Sequence, residues 1–463
     1  MKQKKIHFIG IGGIGMSGIA EVLVNMGYSI SGSDLKQSEL TDRLKKMGVK
    51  VSIGHAEENV SDVDVVVYSN AVPEDNPEII EARKKSIPII PRAEMLNELL
   101  RIKKGIGIAG THGKTTTTSM VSFILNDAGW DPTMIIGGVL NTIKSNARMG
   151  KGDYLVYEAC EAFGSIHYFH GEIVCITNID KDHMEYYKSL KKLKEAFLSY
   201  INRIPFYGFA VLNGDDKNIK TLIPKIGKKY FLFGLDPSNH VYAYDIKKDN
   251  FSTVFKVSFM GKPLGEFKLN VPGIHNVYNA LAAITIAINL GITKSHIEKS
   301  LIQFVNANRR FQFIGEENNI TVVDDYAHHP TEIAATIDAG KQLVNGKIKR
   351  VITLFQPHLY SRTQLLYKSF AEALSKSDYT LLTEIYPARE LPIEGVSSKL
   401  IVESFKRRGY KNYFYCPLFD DVLERLVSFL KPGDLVITMG AGNVNTLAPL
   451  ILEMLKKKSE KAA

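Results

Sequence analysis

One stretch decides the fold of this chain: Gly105-Ile-Gly-Ile-Ala-Gly-Thr-His-Gly-Lys-Thr-Thr-Thr-Thr-Ser119, which predicts a buried strand, a glycine turn and the start of a helix. Gly110 and Gly113 allow the backbone to approach phosphate oxygens closely, and the amides of the helix start point outward along the positive end of the helix dipole. Lys114 adds a positive charge for the outer phosphates, and the hydroxyl of Thr115 or Thr116 can bind Mg²⁺. The stretch therefore predicts an ATP site.

The turn is a shortened variant of the common phosphate loop. That loop has a glycine five residues before Gly113, where this chain has Ile108. A glycine turn with a solvated lysine is the alternative interpretation, but Gly-Lys-Thr between a strand and a helix favours ATP binding.

Length and composition indicate a globular protein of about three domains. The chain has 463 residues, of which 45% are hydrophobic, and its longest apolar runs are interrupted by glycine or charge. We therefore expect no secretion signal and no membrane span. Cys160, Cys175 and Cys416 have no paired spacing, so neither a disulfide framework nor a zinc site is indicated, and a cytoplasmic location fits.

The charge balance favours small anionic substrates. The formal net charge is +9, but the lysines are scattered, apart from the short tail Lys456-Lys-Lys-Ser-Glu-Lys461. A nucleic-acid surface would group basic residues with interleaved aromatic side chains. We therefore predict no nucleic-acid partner.

The first predicted domain covers residues 1–103. Gly10, Gly12 and Gly15 form a G-x-G-x-x-G frame between a strand and a helix, which is typical of a diphosphate-binding turn. A second strand ends at Asp34, where dinucleotide-binding folds place an acid for a ribose or base. NAD is the obvious ligand, although such turns also serve other phosphates.

The second predicted domain covers residues 104–307. Its strand Tyr154–Tyr157 leads to Glu158, and its strand Ile173–Thr177 leads to a loop that ends at His183. Because ligands of parallel sheets lie at the carboxyl ends of the strands, Glu158 and His183 could complete a Mg²⁺ site beside Thr115. Ordinary polar residues at strand ends are the alternative.

Two further segments of this domain have simpler interpretations. Residues 230–270 predict alternating short strands, and a helix follows near Asn276. A helix cap is the alternative role for Asn276.

The third predicted domain covers residues 308–463. Strands at 321–325, 351–355 and 435–438 alternate with helical segments, which predicts another parallel sheet. The loops after these strands carry Arg, His, Asp and Tyr side chains. Since arginine binds carboxylates and phosphates bidentately, the loops suit a carboxylate and a nucleotide.

Taken together, the motifs resemble those of the Mur ligases over essentially the whole chain. They are Gly10-Ile-Gly-Gly-Ile-Gly-Met-Ser17, Gly110-Thr-His-Gly-Lys-Thr-Thr116, Asn178-Ile-Asp-Lys-Asp-His183, His275-Asn-Val-Tyr-Asn279, Arg309-Arg-Phe311, Asp324-Asp-Tyr-Ala-His-His-Pro330 and Gln356-Pro-His358. The resemblance implies three α/β domains, each a mostly parallel sheet flanked by helices: Rossmann-like, phosphate-loop and Rossmann-like. It also implies that the first domain holds UDP-N-acetylmuramate instead of NAD.

The resemblance further implies a reaction. ATP would phosphorylate the lactyl carboxylate of the sugar nucleotide, and the amine of L-alanine would attack the acyl phosphate, with Mg²⁺ as cofactor. Domain closure would assemble the site and keep water off this intermediate.

The residue roles implied by the resemblance fall into five groups. ATP-binding residues are Gly110, Thr111, His112, Gly113, Lys114, Thr115, Thr116, His275, Asn276, Arg310 and Asp325. UDP-sugar-binding residues are Gly10, Gly12, Gly13, Ile14, Gly15, Met16, Ser17 and Asp34. Residues around the amino acid and the acyl group are Tyr326, His328, His358, Arg362, Tyr386 and Arg389. Catalytic residues are Lys114, His183, Glu158, His328 and Arg362. Metal ligands are Thr115, Glu158 and His183.

Departures and alternatives stay open at this point. The segment from Cys160 to Ser165, together with Leu359 and Asn443, departs from the usual Mur ligase pattern. A ligase that adds a whole tripeptide to the same nucleotide is a close alternative. An NAD-dependent oxidoreductase and a non-catalytic nucleotide sensor are alternatives of other classes.

Overall fold

The computed structural model describes residues 4–140, 145–249, 251–344, 348–388 and 390–462. The strands are β1 Lys5–Ile9, β2 Ser29–Asp34, β3 Lys50–Ile53, β4 Val65–Tyr68, β5 Ile89–Pro91, β6 Lys104–Ala109, β7 Thr133–Leu140, β8 Ser145–Arg148, β9 Tyr154–Glu158, β10 Ile173–Ile176, β11 Phe209–Asn213, β12 Tyr230–Gly234, β13 Val241–Asp249, β14 Ser252–Phe259, β15 Lys262–Leu269, β16 Gln312–Glu317, β17 Ile320–Asp325, β18 Arg350–Phe355, β19 Tyr379–Leu382, β20 Tyr413–Tyr415 and β21 Asp434–Met439.

Helices alternate with these strands. They are α1 Ile14–Asn25, α2 Glu39–Lys46, α3 Pro77–Lys84, α4 Arg92–Leu99, α5 Lys114–Asp127, α6 Met184–Tyr187, α7 Leu190–Asn202, α8 Lys217–Lys220, α9 Ile274–Asn289, α10 Lys294–Gln303, α11 Pro330–Gln342, α12 Tyr360–Leu374, α13 Lys399–Arg407, α14 Phe419–Phe429 and α15 Leu447–Ala462. Short 3₁₀ turns lie at Glu57–Val60, Ala162–His167, Ile223–Lys225 and Val444–Thr446. None of the described helices is both long enough and apolar enough to cross a bilayer.

Three sheets organise the chain, as the predicted three-domain α/β class requires. The first has the order β3-β2-β1-β4-β5, and all its pairings are parallel. The second has the order β15-β14-β13-β12-β11-β10-β6-β9-β7-β8, with parallel pairing from β13 to β7 and an antiparallel β7–β8 pair. Parallel sheets need crossover helices, which explains the alternation of strands and helices.

The third sheet has the order β16-β17-β21-β18-β19-β20. Its pairings are parallel except for β16, which lies antiparallel to β17. The antiparallel edge strand was not predicted, since Gln312–Glu317 is largely polar and contains a glycine. Buried side chains cover both faces of this sheet, including Val323 and Ile437 on one face and Val322 and Val436 on the other.

Backbone contacts group the chain into two compact units. One contains Met1–Ile246, Phe255–Lys268 and Tyr278–Val305, and the other contains Lys247–Val254, Leu269–Val277 and Asn306–Ala463. The first unit therefore holds both the first sheet and most of the second. The predicted domain boundaries at 103/104 and 307/308 stay predictions.

Helix α1 packs on the β7–β8 hairpin, and this packing explains why the first two sheets share a unit. Ile19 of α1 belongs to the same buried apolar cluster as Ile135 and Ala147 of the hairpin. The Ser145 hydroxyl donates to Glu21 at 2.9 Å, and the Asn146 amide donates to the backbone carbonyl of Ile14. The two sheets are thus joined by both apolar and polar contacts.

Most predicted elements are present with small shifts at their ends. The strands expected at 154–157 and 351–355 correspond to β9 and β18, and the helix expected to start after the glycine turn is α5. The prediction of short strands in 230–270 is wrong for β13, β14 and β15, which contain nine, eight and eight residues.

Candidate active site

The phosphate loop joins β6 to α5, as predicted. Gly113 is the N-cap of α5 and has a φ of 82°, in the left-handed region that favours glycine. The Asn178 side chain accepts a hydrogen bond from the His112 amide at 2.8 Å, and the Thr177 hydroxyl donates to the His112 carbonyl at 2.6 Å. The loop after β10 therefore supports the turn, while Lys114 and Thr115 begin the helix.

Lys114 forms a buried ion pair with Glu161. The ammonium donates to both carboxylate oxygens of Glu161 at 3.1 Å, and to the carbonyls of Gly110 and Thr111. The exposed fractions of the two side chains are 15% and 1%. Burial disfavours the ammonium, but the Glu161 carboxylate outweighs burial and raises the pKa of Lys114. Lys114 therefore stays charged at neutral pH.

Sequence analysis missed Glu161 as a site residue. It follows Glu158 by three positions, just beyond the end of β9. An acid so close to a strand end that faces a phosphate loop was a usable signal. Its contact with Lys114 spans 47 residues, however, and no local pattern encodes such a pairing.

Glu158 and His183 lie near the phosphate loop. One Glu158 oxygen accepts a hydrogen bond from the Gly137 amide at 2.6 Å, and the Glu158 charge contributes to the raised pKa of Lys114. Burial disfavours protonation of His183, but its hydrogen bond to Glu185 and the charge of Asp182 outweigh burial and raise the pKa of His183. Their assignment as metal ligands stays a prediction.

The first glycine turn joins β1 to α1. Gly13 is the N-cap of α1 in an extended conformation, and the Ser17 hydroxyl donates to the Ile14 carbonyl at 3.1 Å. One Asp34 oxygen accepts the Gly12 amide at 2.8 Å. Asp34 therefore braces the turn, and its predicted contact with a ribose or base stays a prediction.

The buried carboxylate of Glu78 supports this first turn through Ser33. The Ser33 carbonyl accepts the amides of Gly10 and Ile11 at 2.9 and 3.0 Å, while the Ser33 hydroxyl donates to Glu78 at 2.6 Å. Glu78 has no exposed surface and also contacts His7 Nε2 at 3.4 Å. Burial opposes ionisation, but the hydrogen bonds from His7, Ser33 and Asn59 outweigh it and lower the pKa of Glu78.

Helix α9 carries the predicted nucleotide contacts His275 and Asn276. Burial, assisted by the charge of Arg310, lowers the pKa of His275 to about 4, so this imidazole is neutral at pH 7. The Asn276 amide donates to the Pro272 carbonyl at 2.6 Å and so ties α9 to the residues before it, whereas a capping side chain would accept a backbone amide. One turn later, Asn279 accepts the Thr117 hydroxyl at 3.1 Å and so joins α9 to α5.

In the second unit, Asp325 braces the loops around β17. Its two oxygens accept the amides of Phe311 and Ala327, each at 2.7 Å. Burial is the main reason that the pKa of Asp325 rises to about 6, against the opposing charge of Arg310. The guanidinium of Arg310 lies 5.5 Å from the centre of the Tyr326 ring.

Aromatic and imidazole rings gather beside this loop. The His328 ring lies 5.3 Å from the Tyr326 ring and 6.2 Å from the His358 ring, and His358 stacks on Tyr386 at 5.9 Å between centres. Arg362 lies in the first turn of α12, directly after Leu359, whose φ is 69°. The structure thus brings together the predicted acceptor-binding residues Tyr326, His328, His358 and Tyr386, while Arg389 lies outside the described residues.

Family models match the chain in three consecutive segments. The Mur ligase family catalytic domain matches residues 5–104, the Mur ligase middle domain matches 108–287, and the Mur ligase glutamate ligase domain matches 309–442. The chain belongs to the Mur ligase family. Mur ligases are ATP-dependent, so the phosphate loop at Gly110–Gly113 belongs to an ATP-using enzyme.

Individual Mur ligases are similar to the chain over nearly its full length. The UDP-N-acetylmuramate--L-alanine ligase of Geotalea uraniireducens is 50% identical over 455 residues, which cover 98% of this chain and 99% of that protein. The crystal structure of UDP-N-acetylmuramate-alanine ligase from Thermotoga maritima is 30% identical, with a TM-score of 0.82 and coverage of 98% and 99% of the two chains. A murein peptide ligase from Psychrobacter arcticus, 24% identical, shares the fold with a TM-score of 0.73 over 98% of each chain.

Proposed function

We infer that this chain joins L-alanine to the lactyl carboxylate of UDP-N-acetylmuramate, with cleavage of ATP, in peptidoglycan synthesis. The observation that carries this inference is 50% identity, over almost the whole chain, to an enzyme named for that reaction. Membership of the Mur ligase family replaces the NAD interpretation of the first glycine turn. Because ATP and a UDP-sugar are nucleotides of the cell interior, we also propose a cytoplasmic location.

The reaction requires activation of a carboxylate, which is a poor electrophile. A lactyl carboxylate oxygen attacks the γ-phosphorus of ATP, the bond to the β-phosphate breaks, and an acyl phosphate and ADP form. The neutral amine of L-alanine then attacks the acyl carbon, inorganic phosphate leaves, and the nitrogen loses a proton to form the amide. Negative charge accumulates on the transferring oxygens in the first step and on the acyl oxygen in the second.

Lys114 suits the first step because it is a cation whose position is fixed by neighbouring residues. Glu161 and two loop carbonyls fix the position of its ammonium. A charge oriented in advance stabilises the transferring phosphoryl oxygens without reorganisation. The turn amides and the dipole of α5 assist it.

The residues near the phosphate loop also fit a magnesium ion. The carboxylate of Glu158 and the hydroxyl of Thr115 are hard oxygen ligands, which Mg²⁺ prefers. The Gly137 amide orients one Glu158 oxygen at 2.6 Å. His183 can join them only as a neutral imidazole, because a ligating nitrogen must be unprotonated. When bound, the ion neutralises charge on the phosphate oxygens.

In the second unit, we propose that the ring cluster of Tyr326, His328, His358 and Tyr386 binds L-alanine and the acyl group, together with Arg362. A guanidinium suits the carboxylate of the amino acid, since it binds planar anions bidentately. His328 is near Glu332, at 3.3 Å, and this contact can hold its imidazole in one orientation. The rings would exclude water from the acyl phosphate.

A product assay tests the proposed function. The chain is incubated with ATP, Mg²⁺, UDP-N-acetylmuramate and a mixture of all twenty amino acids, and the products are identified by mass spectrometry. We expect the L-alanine adduct with equimolar phosphate release. A parallel reaction supplies the murein tripeptide, and strong turnover with the tripeptide but none with L-alanine would contradict the proposal.

A further inference from the structure

Arg92 lies at the edge of the first sheet that carries the glycine turn. It begins α4 directly after β5. In the sheet register, Ile9 at the end of β1 pairs with Tyr68, and Tyr68 pairs with Pro91. Because carboxyl ends of parallel strands meet at one edge, Arg92 and the glycine turn after Ile9 share that edge.

The guanidinium of Arg92 packs directly against Gly15. A Cβ atom on Gly15 would lie 2.6 Å from Arg92 Nη1 and 3.1 Å from its Cζ, so the guanidinium would have to move away from any larger residue at this position. Gly15 lies in the first turn of α1. The third glycine of the motif therefore makes room for a cation at the positive end of this helix.

The structure gives this cation no protein partner. Arg92 is partly buried, yet it makes no hydrogen bond or ion pair with any residue that the structure describes. A guanidinium has five N–H donors, so Arg92 has donors available to a ligand. Such a group is suited to an anion that arrives with a ligand.

The charge of Arg92 also acts on Cys160. Burial raises the pKa of the Cys160 thiol, and the charges of Lys114 and Arg92 both oppose that rise. Cys160 precedes Glu161, the partner of Lys114. Arg92 therefore contacts the first glycine turn and is near enough to Cys160 for its charge to act there, within one compact unit.

We propose that Arg92 binds the diphosphate of UDP-N-acetylmuramate on the turn Gly10–Ser17, an assignment that rests on the proposed function. The glycine turn and the first helical turn of α1 contain no basic residue. Without Arg92, only their backbone amides would face the two negative charges of the diphosphate. Arg92 supplies the missing charge from α4, which is distant from the turn in sequence, and its planar fork matches phosphate oxygens. The contact with Gly15 places it on the diphosphate rather than on the lactyl carboxylate.

Calorimetric titration of the full-length chain with UDP tests the proposal, because UDP carries the diphosphate but neither the sugar nor the carboxylate. We expect Arg92→Ala to weaken UDP binding roughly ten- to hundredfold, as for loss of a charge-assisted contact. Arg92→Lys should lose part of this affinity, and Gly15→Ala should reproduce the loss by displacing the guanidinium. Arg101→Ala, which removes an exposed arginine just beyond the other end of α4, is the matched control and should bind UDP normally.

Further measurements distinguish a misfolded variant, a wrong role for Arg92 and a wrong proposed function. Binding of a non-hydrolysable ATP analogue should stay unchanged in Arg92→Ala, which shows that the variant is folded. Wild-type affinity for UDP in Arg92→Ala would overturn the proposal, and so would a loss of kcat with UDP binding intact, which would place Arg92 on the carboxylate. If the unaltered chain bound no UDP at all, the proposed function itself would fail.

Discussion

The two glycine turns of this chain share a backbone design but differ in their charges. Both join a buried parallel strand to a helix, β1 to α1 and β6 to α5. The first turn is braced by an acid, Asp34, and has no basic residue in its helix start. The second begins its helix with Lys114, which is paired with Glu161. The comparison teaches that a glycine turn indicates a phosphate, while the neighbouring charges determine what is done with it.

The largest effect should come from removing the charge of the second turn. We expect Lys114→Ala to lower kcat at least about a hundredfold, since loss of one contact to transition-state charge costs several kcal/mol. Steady-state phosphate release with all three substrates measures the change. Lys104→Ala, which removes an exposed lysine at the start of β6, is the control and should keep normal turnover. Near-normal turnover in Lys114→Ala would remove its catalytic role.

Removing the partner of Lys114 should have a smaller effect that depends on pH. In Glu161→Gln, burial of the ammonium is no longer opposed by this carboxylate, so the pKa of Lys114 falls. We expect kcat to fall by about tenfold. We also expect the alkaline limb of the kcat–pH profile to shift to a lower pH than in the unaltered chain. The measurement is kcat against pH from 6 to 10. Glu172→Gln, in the same compact unit, is the charge-matched control. An unshifted alkaline limb in Glu161→Gln would contradict this account.

The smallest effect concerns the support of the first turn, and it should appear in stability. Glu78→Gln replaces an acceptor of several hydrogen bonds with an amide, and we expect a loss of about 2 to 3 kcal/mol in the free energy of unfolding. Urea unfolding followed by circular dichroism measures this loss. Glu81→Gln removes a carboxylate of the same helix that pairs with the exposed lysines Lys84 and Lys85, and it should unfold nearly like the unaltered chain.

The pH dependence of that stability has a definite sign. Because the folded structure lowers the pKa of Glu78 below its usual 4.5, the carboxylate contributes its stability above pH 4.5 and loses it as the pH falls through the lower folded value. The difference in unfolding free energy between the unaltered chain and Glu78→Gln should therefore be full at pH 7 and shrink in acid. A difference that stays constant down to pH 3 would show that Glu78 does not titrate in this way.

The two turns also show how far a sequence predicts a site. Gly110, Gly113 and Lys114 are adjacent in the chain, so a local pattern was enough to predict the phosphate loop. Glu161 and Arg92 reach the turns only through the register of parallel strands, and single-sequence patterns do not encode that register. Arg92 did leave a signal, since it starts a helix at the ligand-binding edge of a sheet.

The β7–β8 hairpin was missed for a related reason. Ser145–Arg148 contains no residue type that favours strands, and the segment owes its structure to packing against α1. Strand formation depends on such packing more than on intrinsic preference. Family-level resemblance predicted the fold class, but only the structure revealed how the first two sheets are joined.

That junction affects how the protein could be divided in the laboratory. A fragment cut at residue 103 would leave Ile19 and neighbouring apolar side chains of α1 without their cover of Ile135 and Ala147. Such a fragment should aggregate on expression. Recombining halves from related enzymes at that boundary would likewise require α1 and the hairpin to come from the same parent.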